Sequence, residues 1–187
     1  AKKGQLDEAR QLYTRVLETF PQNRQAKNGL KALQDTTPNN SQLSPPKAQI
    51  DSVIALYSKG QIREALDALE ILTTNYPNEA LLYNLSGACY AGLGQLDAAF
   101  KSFNRALKIK PDFADAHYNL GNTLKGLGQL DAAVKSYERA LKIKPDYVQA
   151  HSSLGITLQD LGQLDAAVKS FNRAIEIKPD YAEAHSN

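Results

Sequence analysis

The sequence predicts an all-α solenoid of antiparallel helix pairs. Three observations carry this: a strict period of 34, two apolar stripes of helical spacing in each period, and a glycine and a proline that punctuate them. Gly-Gln recurs at Gly60-Gln61, Gly94-Gln95, Gly128-Gln129 and Gly162-Gln163, at a constant step of 34. Pro77, Pro111, Pro145 and Pro179 keep the same step, each 17 on from its glycine. Laid over 128–161, residues 94–127 give 23 identities in 34. Self-similarity at a fixed period of this length marks stacked supersecondary units.

Within one unit the first helix follows the proline. After Pro111, residues Ala116, Leu120, Leu124 and Leu127 recur at spacings of three and four, the period of an amphipathic helix. Gly128 breaks it, because a glycine past a helix end adopts positive φ without a Cβ clash. A second stripe follows in Leu130, Ala133, Val134, Tyr137, Leu141 and Ile143. Asp131 falls in its first turn and Lys142 and Lys144 in its last, complementing the helix dipole. Pro145 ends it, having no N–H to donate. Gly121 and Gly155 fall mid-helix, where glycine costs up to about 1 kcal/mol relative to alanine. A close helix–helix approach that a Cβ would block explains that cost, as it does the small Ala133 and Ala140, repeated at Ala99/Ala106 and Ala167/Ala174. One such helix pair cannot bury its apolar face alone, so stability must come from neighbouring units.

The period places units at 47–79, 80–113, 114–147 and 148–181. The first is the most divergent, with Val53 where the others carry glycine. Gly4 and Pro21 are also 17 apart, so residues 5–20 read as a second-type helix without its first. Residues 22–34 read as a first-type helix, with Ala26, Leu30 and Leu33 in register. Together 1–34 form an N-terminal helix pair, and 35–46, rich in Pro, Asn, Ser and Thr, read as a linker. Such a linker leaves the pair free to pack apart from the main array. At the other end Asp180–Asn187 begins a new first helix. Two incomplete ends raise the expectation of head-to-tail self-association, a heterologous contact that need not close. The alternative is that the terminal helices fray or cap locally.

The unit Ala114–Pro145, with its Leu120-Gly121 pair, Ala133, Ala140, Tyr137 and closing proline, closely resembles the tetratricopeptide repeat family. Where that family often has Trp in the first helix, this chain has His117, His151 and His185, or Tyr83. The resemblance implies a right-handed superhelix whose first helices line a concave groove, and it implies recognition of a protein or peptide. The groove-facing residues it implies are Asn84, Ala88 and Ala91; Tyr118, Asn119, Asn122 and Lys125; Ser152, Ser153, Ile156, Gln159 and Asp160. Mostly polar and uncharged, they suit an extended peptide backbone. A co-chaperone carboxylate clamp is not expected: Asn122 fills one place, but Gln149, Ser152 and Ser153 stand where further polar or basic partners are needed. No asparagine ladder is expected either, since Asn119 is matched by Leu85 and Ser153. Similar bacterial arrays are fused to enzymes such as sulfotransferases or glycosyltransferases. A targeting arm for such a neighbour is therefore an alternative to a free-standing scaffold or a self-assembling spacer.

Composition narrows the function classes. A net charge of +2 with 22% charged residues lacks the basic excess of a nucleic-acid binder. No apolar run approaches the roughly 20 residues that span a bilayer, so no membrane partner is expected. The lone Cys89 excludes an internal disulfide and fits a buried structural thiol. With no Met and a start at Ala1, the chain is expected to be a fragment of something longer; the lone thiol fits a reducing compartment, so a cytoplasmic location is expected. His117, His151 and His185 are set apart by about one helix layer of 8–10 Å, too far for one ion, so they read as packing residues. Asp112/Asp115 and Asp131/Glu138 read as capping or solvated charge. Rows such as Lys101-Arg105-Lys108 and Lys135-Arg139-Lys142 read as a solvated face. No phosphate loop, nucleophile motif or metal cluster is present, so neither enzyme activity, cofactor nor metal is expected.

Overall fold

The computed structural model describes the backbone of residues 2–36 and 44–179, and the side chains of 9, 11–30 and 44–179. Among the described residues there are ten helices and no strand. Two compact units divide at Ser44 and Pro45.

The first unit holds α1 (Lys2–Thr19) and α2 (Arg24–Thr36). Asn23 begins α2 by accepting the Ala26 N–H on its Oδ1 at 2.9 Å, satisfying one of the orphan donors of a helix start. Gly29 of α2 lies against the Tyr13 ring of α1, where a Cβ would collide with Cζ. Here α2 runs two residues into the predicted linker; residues 37–43 lie outside the described residues.

The second unit holds α3 (Lys47–Ser58), α4 (Ile62–Asn75), α5 (Ala80–Gly92), α6 (Leu96–Ile109), α7 (Ala114–Gly126), α8 (Leu130–Ile143), α9 (Val148–Asp160) and α10 (Leu164–Ile177). Each first helix ends in a Schellman motif. In α7 the Gly128 N–H donates to Lys125 O and the Gln129 N–H to Leu124 O. Gly60, Gly94, Gly128 and Gly162 hold φ between +72° and +77°, the left-handed region the motif requires. Gly128→Ala is therefore expected to cost about 1–2 kcal/mol, the strain of an L residue held there, as a fall in the urea midpoint. Asp97, Asp131 and Asp165 sit in the first turns of α6, α8 and α10. Lys142 lies in the last turn of α8, but Lys144 is its C-cap, and its ammonium stands 4.6 Å over the Tyr147 ring instead.

Packing explains the small residues. Ala99, Ala106, Ala133 and Ala140 are fully buried beside Phe103 and Tyr137. The mid-helix glycines face rings, which refines the expected backbone approach. A Cβ on Gly87, Gly121 or Gly155 would come within 2.5–2.6 Å of Cε1 of Phe103, Tyr137 or Phe171. In the first repeat the opposing residue is Leu69, and Val53 fills the space the ring leaves; both are 1% exposed. Val53 is thus compensation for a smaller partner.

Curvature within this unit follows from which helices touch. First helices meet first helices of the next repeat: α3 touches α5, α5 touches α7, and α7 touches α9. Among the described residues no second helix touches the next second helix. Stacked pairs that close on one side and open on the other must bend towards the closed side. The concave face therefore belongs to α3, α5, α7 and α9.

Candidate peptide groove

The concave face is built by side chains one turn apart on successive first helices. On α5 these are small, Ala88, Ala91 and Gly92. At the same register α7 carries Asn122, Lys125 and Gly126, and α9 carries Ile156, Gln159 and Asp160. The small trio leaves a hollow of about 190 Å³, walled by Tyr57, Asn119 and Asn122 and backed by Phe103 and Leu96. Among the described residues no charged side chain lines it.

Amides and hydroxyls fix this wall. The Asn119 Nδ2 donates to Asn84 Oδ1 at 3.1 Å, joining α7 to α5. Asn84, expected to face the groove, is 7% exposed and spends its carbonyl oxygen on Asn119, so it supports the groove from within the stack. This pair is a single amide contact and not a ladder, since Leu85 and Ser153 stand at the positions equivalent to Asn119. Its partner is 35 residues back, because stacked helices meet across an interface where equivalent positions do not face each other. The Tyr137 hydroxyl donates to Asn122 Oδ1 at 2.8 Å, which orients Asn122 and leaves its Nδ2 for a ligand. Burial, and then the nearby Tyr118, raise the Tyr137 pKa well above its ordinary 10, despite Ser153 and Thr157 in hydrogen-bonding reach.

Tyr118 is half-buried in an aromatic cluster, its ring centroid 5.0 Å from Tyr147 and 6.1 Å from Tyr137. Both partners belong to its own unit, 114–147, with Tyr147 as the N-cap residue of α9, so the ring packs there more than it presents a free face. Lys125 Nζ lies 3.4 Å from Asp160 Oδ2 in the next repeat, an exposed pair of small energetic weight. Asn122, Ile156 and Gln159 are exposed, and Ser152 is half-buried. Of the predicted groove residues, the structure gathers Ala88, Ala91, Asn119 and Asn122 at the hollow and places Lys125, Ser152, Ile156 and Gln159 further along α7 and α9.

Two features escaped the sequence reading. Tyr57 walls the hollow from the first repeat, at the register of Ala91; extending the groove one unit back would have found it. The residue at the histidine register also does more than pack. His117 Nε2 meets Pro111 O at 2.9 Å, His151 Nε2 meets Pro145 O at 3.0 Å, and Tyr83 Oη donates to Pro77 O at 3.2 Å. Each pins a first helix to the proline turn before it. Burial lowers the His117 pKa, its largest effect, because a charged ring would lose water there. His185 lies outside the described residues. Cys89 is buried, and burial raises its thiol pKa. Among the described residues no three His, Cys, Asp or Glu side chains gather as a metal site, and no helix is long and apolar enough to cross a membrane.

A solenoid of repeated helix pairs defines a helical-repeat protein. A family profile described as TPR repeat matches residues 87–128, 121–162 and 157–187, and one described as tetratricopeptide repeat matches 1–23 and 53–79. The chain belongs to the tetratricopeptide repeat family. It is similar to the peroxisomal targeting signal receptor of Saccharomyces cerevisiae, 32% identical over 82 residues, which are 44% of this chain and 13% of the receptor. The chain thus matches only a small part of that relative. Among solved structures it is similar to MamA, with a TM-score of 0.64 and 25% identity, covering 97% of this chain and 94% of MamA. A thermophilic TPR protein of Thermus thermophilus matches with a TM-score of 0.64 and 22% identity over 99% and 89% of the two chains.

Proposed function

We propose that this chain is a non-catalytic scaffold whose concave groove holds an extended segment of another protein. The hollow between Tyr57, Ala88 and Asn122 carries this reading. Its size and uncharged lining suit one aliphatic side chain, and the Asn122 amide at its rim suits a peptide carbonyl. Partial similarity to a receptor for a targeting signal supports a peptide partner. The test uses peptides selected on this chain from a displayed random library. Ala88→Ile introduces the residue that α9 carries at that register, Ile156, and fills the hollow. It is expected to weaken selected peptides at least tenfold, about 1.4 kcal/mol, with Asn122→Ala also weakening them. Peptides that bind both variants as tightly as the parent chain would refute the groove.

Self-association is the second reading, favoured by α10. Leu164, Val168 and Ile175 are 61, 55 and 44% exposed, whereas Leu130, Val134 and Leu141 at the same register of α8 are half-buried. A second copy seated there would cover a stripe that the repeat pattern buries. Asp180–Asn187, the predicted partial helix, lies outside the described residues.

A further inference from the structure

Because second helices splay apart on the convex side, a cleft opens between α4 and α6 above α5. It encloses about 470 Å³, with Asp67, Glu70 and Thr73 on one wall, Tyr83, Ser86 and Tyr90 below, and Ser102 opposite. It shares no lining residue with the groove hollow.

The repeats themselves act as controls. Where Ser86 stands, the next two repeats carry Leu120 and Leu154; where Tyr90 stands, they carry Leu124 and Leu158. Thr73 is replaced by Leu107, Leu141 and Ile175, and Asp67 by Lys101, Lys135 and Lys169. Later repeats thus supply apolar side chains to this place and rim it with a cation. Between α4 and α6 it is instead hollow, hydroxyl-rich and acidic. Glu70 follows Asp67 by three residues in the sequence, so both carboxylates leave α4 on one side. Among the described residues neither forms an ion pair. Arg105 of α6 stands 5.6 Å from the Tyr83 ring centroid and occupies that ring, while Tyr90, packed against the core on one side, still lines the cleft.

We propose that this cleft is a second binding site, taking an arginine side chain of a partner protein. Its guanidinium pairs with Asp67 and Glu70 and stacks on Tyr90, while its stem occupies the space that Leu120 and Leu154 fill in later repeats. Arginine suits the site better than lysine because a planar fork meets two carboxylates and an aromatic face together. The inference is independent of the groove reading.

The experiment is an amide NMR titration with acetyl-Gly-Arg-Gly-amide and with the same peptide carrying uncharged citrulline. Saturable shifts are expected at residues 66–73 and 83–90 with the arginine peptide alone. Ser86→Leu installs the residue of the later repeats, so its thermal midpoint should hold or rise while the shifts vanish. Asp67→Lys, at an exposed position, should abolish them too and covers the case in which Ser86→Leu disturbs folding. Absence of saturable shifts, equal shifts with citrulline, or shifts that persist in the folded variants would each overturn the proposal.

Discussion

Tyr137→Ala is expected to lower the unfolding free energy of the repeat array by about 3–5 kcal/mol, the range for losing a fully buried aromatic. Tyr137 is 0% exposed, pressed against Gly121, with the Tyr118 ring at 6.1 Å. Its loss also removes the bond to Asn122. Tyr137→Phe keeps the ring and removes only that hydroxyl, at about 1 kcal/mol, the net worth of one such bond. Because Asn122 faces solvent, water can replace the lost donor. Chemical denaturation of the three proteins separates ring from hydroxyl. A pH series adds a check with a definite sign. The folded pKa values of Tyr137 and Tyr147 lie above the ordinary 10. Above that pH the unfolded chain loses protons that the folded chain keeps, so their contribution falls as pH rises. Tyr137→Phe should flatten this alkaline loss. Equal alkaline slopes in the two proteins would show that the hydroxyl is not held in the core as the bond to Asn122 requires.

How much of this was legible in the sequence depends on the periodicity of each feature. Helix positions, turn glycines and the buried alanine at 65, 99, 133 and 167 recur in every repeat, so each is written several times over and coincidence is easily set aside. The family resemblance places Asn84 and Tyr118 on the groove side, yet Asn84 is buried against Asn119 and Tyr118 is half-buried among rings. Register fixes the face of a helix, but not whether the adjacent repeat covers it. The Asn84–Asn119 pair was invisible for the same reason, since it joins positions 35 apart, one off the repeat period. The proline clamp could have been seen: Tyr83, His117 and His151 share the capacity to hydrogen-bond, and each follows its proline by six residues. Mixed residue types at one register concealed a shared bond. The groove hollow depends on three small residues in one repeat alone, and a departure from a repeat is legible only once the repeat defines what normally fills the space.

Gly121→Val and Tyr137→Leu are each expected to destabilise the array, and together to do so by about 2 kcal/mol less than their sum, within the range for residues in contact. A Cβ at Gly121 would lie 2.5 Å from Tyr137 Cε1, and the ring cannot retreat because it is enclosed. Overpacking of that kind costs about 1–3 kcal/mol. The gain in helix propensity from Gly to Val, about 0.4 kcal/mol, does not offset it. Tyr137→Leu has the opposite fault, leaving a void where the ring was, at a cost of about 2 kcal/mol or more. Combined, the valine side chain enters the void and both faults shrink. The first repeat already uses this solution: Val53 and Leu69, separated along the chain just as Gly121 and Tyr137 are, are each 1% exposed in a packed core. A double-mutant cycle by urea denaturation resolves a coupling of this size. Repeat arrays unfold in nearest-neighbour steps, so the cycle is read from the transition of the unit that holds α7 and α8. Strict additivity would mean that the glycine and the ring are set independently by their own helices. Coupling would mean that each repeat selects one of two interchangeable ways to fill the same space.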